Sequence, residues 1–145
     1  MSKVSVYLNF PDKTEEAFNF YKSVFGGEFD GGISRFGDVP PTENMPELSE
    51  SDKKLVMHVL LRITGGFKLM GSDVPASIGS KVIIGNNVYI NLEPDTREET
   101  RQLFHALANG GEVEMELQEM FWGDYYGSLT DQFGVRWMFN CTSKE

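Results

Sequence analysis

Residues 19–29 read NFYKSVFGGEF, and residues 101–113 read RQLFHALANGGEV. Each is a helix-forming run with an apolar stripe, closed by Gly-Gly-Glu and followed by a residue suited to a strand. Glycine is favoured just past a helix because that position often needs positive φ, which a residue without Cβ adopts freely. The two endings also share their surroundings. Asp12 and Glu15 stand at the spacing of a capping box before the first helix, with Thr14 as an alternative cap. Thr96 and Glu99 repeat that spacing before the second, where Glu98 and Glu99 also suit the positive end of the helix dipole. Ala17, Phe18, Tyr21, Val24 and Phe25 fall at steps of three and four, leaving Glu15, Glu16, Asn19 and Lys22 to solvent. Leu103, Ala106 and Leu107 form the second stripe, with Phe104 beside it. A strand-like segment with proline at its exit precedes each helix: VSVYLNFP at 4–11 and NVYINLEP at 87–94.

Three further segments after each helix read as strands: 28–36, 55–63 and 67–72, then 112–117, 125–131 and 135–140. The last two are joined by DQFG, a tight turn. Gly-Gly after a helix is common, and alone would not establish a repeat; matching strands, prolines and caps around it do. The fold class is therefore α+β, two βαβββ modules. Module one spans about 1–73, a bridge 74–86, and module two 87–145, within a single domain. Residues 37–54, GDVPPTENMPELSESDKK, are rich in Pro, Ser and acids and read as a long exposed loop. In the bridge, KVII at 81–84 could form an extra short strand.

Bulk properties narrow the function. A chain of 145 residues, 40% hydrophobic, with eleven Phe, five Tyr and two Trp, can fill a core and is not disordered as a whole. No apolar run approaches the roughly 20 residues that cross a bilayer, and MSKVSVYLNF lacks the apolar stretch of a signal peptide. No membrane partner is expected. The net charge of −9 repels phosphate backbones, so nucleic acid is not an expected partner either. A single cysteine, Cys141, cannot close an internal disulfide; it reads as a passive thiol and suits a cytoplasmic location.

Strand periodicity sorts residues onto two faces. Val4, Val6, Leu8 and Phe10 alternate with Ser5, Tyr7 and Asn9; Met57, Val59, Leu61 and Ile63 alternate with His58, Leu60 and Arg62. In the second half, Val88, Ile90 and Leu92 alternate with Asn87, Tyr89 and Asn91; Val135, Trp137 and Phe139 alternate with Arg136, Met138 and Asn140. One face is apolar and suits packing under the helices. The other carries His, Tyr, Asn, Met and Arg, a mixture that fits a concave pocket with a few placed polar groups. His58 reads either as a group able to act near neutral pH or as a hydrogen-bonded structural histidine. His105 reads as a surface residue. Arg62 and Arg136 could hold an anionic ligand or pair with the abundant carboxylates. Phe121 and Trp122, in QEMFWGDYYG, could roof the pocket or cover a sheet edge.

Two such modules resemble the vicinal oxygen chelate superfamily, which includes glyoxalase I, extradiol dioxygenases and bleomycin-resistance proteins. More narrowly, YLNF, AFNFYKSVFGGEF, MHVLLRITGGFKLMGSD and MELQEMFWGDYYGSLTDQFGVRWMFN resemble the PhnB-like, glyoxalase-related family across almost the whole chain. The resemblance implies curved mixed sheets around a cup, with helices outside and homodimers, side by side or swapped. It also implies a divalent metal held by His and Glu from four cup strands. Carried over position by position, those ligands fall near Ser5, Met70, Tyr89 and Met138. None is a hard-metal ligand of that kind, and thioethers bind Mg, Mn, Zn or Fe poorly. No Cys-x-x-Cys, no Gly-x-x-x-x-Gly-Lys and no Gly-x-Ser-x-Gly stands in the chain. Some PhnB-like proteins have been labelled ubiquinone methyltransferases, but no glycine-rich nucleotide loop supports a methyl donor here.

The sequence thus points to a protein that binds a small organic molecule, with no cofactor and no metal ligand set. The expected ligand-binding residues are Tyr7, Asn9, His58, Arg62, Met70, Tyr89, Asn91, Trp122 and Met138. The rival readings are a metal-dependent lyase or dioxygenase related to glyoxalase I, and an interaction module whose cup is vestigial.

Overall fold

The computed structural model describes residues 1–40, 44, 47–77 and 81–145. The parts of the expected loop and bridge at 41–43, 45–46 and 78–80 lie outside the described residues. The chain forms two compact units, Met1–Ile83 and Ile84–Glu145. The first contains β1 (Val6–Phe10), α1 (Thr14–Phe25), β2 (Ser34–Arg35), α2 (Glu50–Lys53), β3 (Val56–Arg62) and β4 (Lys68–Asp73). The second contains β5 (Ile90–Leu92), α3 (Arg97–Ala108), β6 (Glu112–Glu119), β7 (Tyr125–Thr130) and β8 (Arg136–Cys141). Sheet orders are β1-β4-β3-β2 and β5-β8-β7-β6. In each, the first strand is parallel to the last and the remaining pairs are antiparallel.

The repeat extends to register. Leu8 pairs with Gly71 and Gly71 with Val59; Leu92 pairs with Phe139 and Phe139 with Gly127. Each row lies beneath an aromatic ring from its helix. A Cβ on Gly71 would stand 2.6 Å from Phe18 Cε1, and one on Gly127 would stand 2.9 Å from Phe104 Cε2. Both rings are fully buried, so each needs a hole in the sheet surface. The first unit opens it on β4 and keeps Val59 beside it. The second opens it on β7 and keeps Phe139, whose ring meets Phe104 edge to face at 5.6 Å. Such an edge-to-face pair adds about 0.5–1.5 kcal/mol beyond the burial of its area.

The repeated Gly-Gly serves different ends. Gly26, Gly27 and Gly110 have φ of 79°, 83° and 77°, as a helix exit predicts. Gly111 has an ordinary φ, but a Cβ there would strike the Thr130 carbonyl oxygen and the Asp131 backbone. Its constraint is room.

Several expectations need correcting. The Asp12–Glu15 box does not cap α1; its N-cap residue is Lys13, with no side-chain cap. The Thr14 N–H donates instead to Asp73 Oδ1 at 3.0 Å, while Asp73 Oδ2 accepts from Val56 N–H at 2.8 Å. One buried carboxylate from a distant strand ties the start of α1 to the start of β3, which local spacing cannot reveal. The Thr96 cap on α3 is present and accepts from Glu99 N–H at 3.1 Å. The strand expected at 28–36 shrinks to Ser34–Arg35 plus a bridge between Phe29 and Leu61, because Gly31 and Gly32 adopt positive φ between them. The expected loop contains α2, whose Ser49 cap accepts from Asp52 N–H. Val4 and Val88 are 89% and 71% exposed, because each precedes the paired part of its strand. Val56 takes the buried place given to Met57, next to a register shift between β2 and β3. KVII forms no strand.

Candidate functional site

Since Gly71 and Gly127 face the helices, strand alternation puts the neighbouring residues on the opposite, open face. In the first unit that face carries Tyr7, Asn9, His58, Leu60, Arg62, Met70 and Ser72. Tyr7 pairs with Met70, and Met70 with Leu60. The Tyr7 hydroxyl lies 3.4 Å from His58 Nδ1 and the two rings are 5.9 Å apart. Tyr7 remains 47% exposed. Ser72 Oγ donates to Asn9 Oδ1 at 3.3 Å. Arg62 stands at the end of β3, where Nε donates to Asp30 Oδ2 at 2.9 Å. Beside β1, an edge strand of its sheet, lies a cavity of about 480 Å³ lined by Tyr7, Leu8, Asn9, Val74, Lys81, Val82 and Ile83.

The second unit organises its open face differently. Asn91 pairs with Met138 and Met138 with Ser128. Beside them, Tyr89, Glu114, Thr130 and Arg136 form a hydrogen-bonded cluster. The Tyr89 hydroxyl donates to Glu114 Oε2 at 2.6 Å, and Thr130 Oγ1 donates to Oε1 at 2.8 Å. Arg136 Nη1 donates to Glu114 Oε1 at 2.7 Å and to the Tyr89 oxygen at 3.2 Å. The Tyr89 hydrogen bond, helped by Thr130 and by the Arg136 charge, holds the Glu114 carboxyl below the usual glutamate range against partial desolvation. Among the described residues, Arg136 Nε is buried without a hydrogen-bond acceptor. Trp122 is not in this cluster; it occupies the turn between β6 and β7, half exposed, edge to face with Phe121 at 4.9 Å.

Glu114 was not legible from the sequence. In EVEMELQE it looks like one more solvent-facing acid. The register between β6 and β7 slips between Val113 and Met115, making Glu114 an extra residue that the bulge re-aims. Lys81, Val82 and Ile83 were hidden for another reason: they follow the last strand of the first repeat and carry no periodic signal. His105 is exposed, and Cys141 is buried.

The internal register also shows how the four positions that the resemblance marked for metal ligands relate to one another. Met70 and Met138 are equivalent, each paired with the first strand of its own sheet, at Tyr7 and Asn91. Ser5 and Tyr89 precede those partners by two residues and are likewise equivalent. Hydroxyl, phenol and two thioethers do not fit a hard divalent cation. Among the described residues, no three His, Cys, Asp or Glu side chains converge to hold one.

Strand order, duplicated register and helix placement together define a family. The chain belongs to the Glyoxalase/Bleomycin resistance protein/Dioxygenase superfamily, whose family model matches residues 6–139. Protein YjdN of Escherichia coli K12 is 31% identical to it over 98% of this chain and 97% of that protein. Protein PA1353 from Pseudomonas aeruginosa has a solved structure with a TM-score of 0.77 and 36% identity, covering 96% of this chain and 98% of its own. The PhnB protein from Bacillus cereus has a TM-score of 0.73 and 28% identity, covering 97% and 99%. The PhnB-like resemblance read from the residues therefore has structural counterparts. Among the described residues, no helix is long and apolar enough to cross a membrane.

Proposed function

We propose that this protein binds a small organic molecule on its open sheet faces and catalyses no metal-dependent reaction through the superfamily's usual positions. The observation that carries the reading is the first unit's open face. It bears a tyrosine, an asparagine, a histidine and a methionine, beside a cavity whose 480 Å³ is of the size that small ligands occupy. Tyr7, Met70, Tyr89, Met138 and Trp122 would supply aromatic and apolar contact. Asn9, His58, Arg62 and Asn91 would orient the ligand. The whole of 1–145 acts as one domain in this reading, with modules at 1–73 and 87–145 joined by 74–86. It is a cytoplasmic homodimer, in keeping with the family resemblance.

A fragment library screened by thermal shift and by amide chemical shifts tests the binding claim. Hits that move the amides of Tyr7 and Asn9 support it; a library that moves neither defeats it. Metal content of protein purified without chelator separates the rival. One tightly held Zn, Ni, Mn or Fe per chain would replace this reading with a lyase or dioxygenase. Light scattering on a sizing column reads the oligomeric state, and a monomer would remove the dimer from the proposal.

A further inference from the structure

Among the described residues, no carboxylate pairs with the cation that lines the cavity beside β1. The chain has thirteen Lys and Arg against twenty-two Asp and Glu, so acids are plentiful. Nine of the thirteen cations form ion pairs. Among the described residues the four that form none are Lys3, Lys54, Lys68 and Lys81, and of these Lys81 lines the cavity. The open-face arginines are already engaged: Arg62 with Asp30 and Arg136 with Glu114. The rest of the lining falls into two kinds. Asn9 and Tyr7 carry an amide and a hydroxyl; Val74, Val82 and Ile83 are aliphatic, as is Leu8, whose side chain turns to the helix face of β1. A lysine lining a cavity together with hydrogen-bond donors and aliphatic residues matches an anion carried on an apolar body. Charge-assisted hydrogen bonds are roughly twice as strong as neutral ones.

We propose that the ligand of this cavity is a small organic monocarboxylate. Its charge pairs with Lys81, its oxygens accept from the Asn9 amide or the Tyr7 hydroxyl, and its apolar part lies against Val74, Val82 and Ile83. His58, 3.4 Å from the Tyr7 hydroxyl, is a positioning residue that holds the phenol in place. This inference rests on the small-molecule reading and names the ligand class for it.

The test uses matched probes in the full chain: benzoate and cyclohexanecarboxylate against benzamide and cyclohexanecarboxamide, titrated at constant ionic strength and followed by amide chemical shifts. The carboxylates are expected to shift Tyr7, Leu8 and Asn9 and to bind about tenfold tighter than the amides. Lys81→Met should abolish that preference, Lys81→Arg should restore most of it, and Lys3→Met, a charge-matched change outside the cavity lining, should leave it intact. Chemical shifts away from the cavity show whether each variant keeps its fold. Amides that bind as tightly as carboxylates, or a Lys81→Met variant that keeps the preference, would overturn this inference and leave small-molecule binding standing. If neither probe class nor the wider fragment library moves those amides, both readings fall.

Discussion

Replacing Gly71 with alanine tests whether the helix and sheet of the first unit meet as described. The added Cβ would stand 2.6 Å from Phe18 Cε1, 3.0 Å from Cζ and 3.1 Å from the Leu8 carbonyl oxygen. Ordinary carbon contacts begin near 3.5 Å, so something must move by close to an ångström. The ring cannot swing into solvent: Phe18 is fully buried and meets Tyr21 edge to face at 5.5 Å. Overpacking of this kind costs about 1–3 kcal/mol. With a urea m-value of about 2 kcal/mol per molar, the midpoint should fall by about 1 M at unchanged m. Phe18→Leu removes the offending ring atoms at a cost of about 1–2 kcal/mol from lost packing. If the ring is what excludes the methyl group, the double variant should be more stable than the two single losses predict, by about 1 kcal/mol or more. Urea unfolding followed by far-ultraviolet circular dichroism, applied to all four proteins, measures that coupling. Strict additivity, or a Gly71→Ala variant as stable as the parent, would refute the seating of Phe18 over Gly71.

Asp131 is the corresponding test in the second unit: it accepts from Phe133 N–H, Val135 N–H and the buried Trp137 indole at 2.8, 3.0 and 2.9 Å. Asp131→Asn should cost about 1–3 kcal/mol by turning an amide toward one of those donors, and Asp131→Ala should cost more. Unfolding monitored by tryptophan fluorescence checks that ranking, and a harmless alanine would count against it. The Glu114 cluster should make stability fall with acid. Its folded-state pKa lies below the unfolded one, so its contribution is full where the unfolded carboxyl is ionised, above about pH 5. The contribution fades as pH drops through the ordinary glutamate value toward the lower folded one. Comparing urea midpoints of the parent and Glu114→Gln between pH 7 and 3 should show a gap that closes at the acid end; a gap independent of pH would contradict the cluster.

Helix positions and the order of elements along the chain were readable because they depend on neighbours in the chain. The spacing of Ala17, Phe18 and Tyr21, the Thr96 cap and the paired glycines are all local patterns, and the structure follows them. Alternation likewise assigned Tyr7 and His58 to one face, and the structure brings them together. That periodicity could not say how far each strand extends, since Val4 and Val88 carry the right chemistry and yet lie outside their sheets. Nor could it separate two uses of glycine that look alike in one dimension, the left-handed turn at Gly110 and the close approach at Gly111.

The duplicated βαβββ plan and the apolar and polar faces were determined by the sequence alone. They follow from residue type and period, which need no distant contact. Tertiary structure alone decided that Asp73 caps α1, that a bulge turns Glu114 onto Tyr89 and Arg136, and that Lys81 joins Tyr7 and Asn9 around a cavity. Each of these brings together residues far apart in the chain, and their meeting depends on strand register and backbone path, neither of which is written in local spacing.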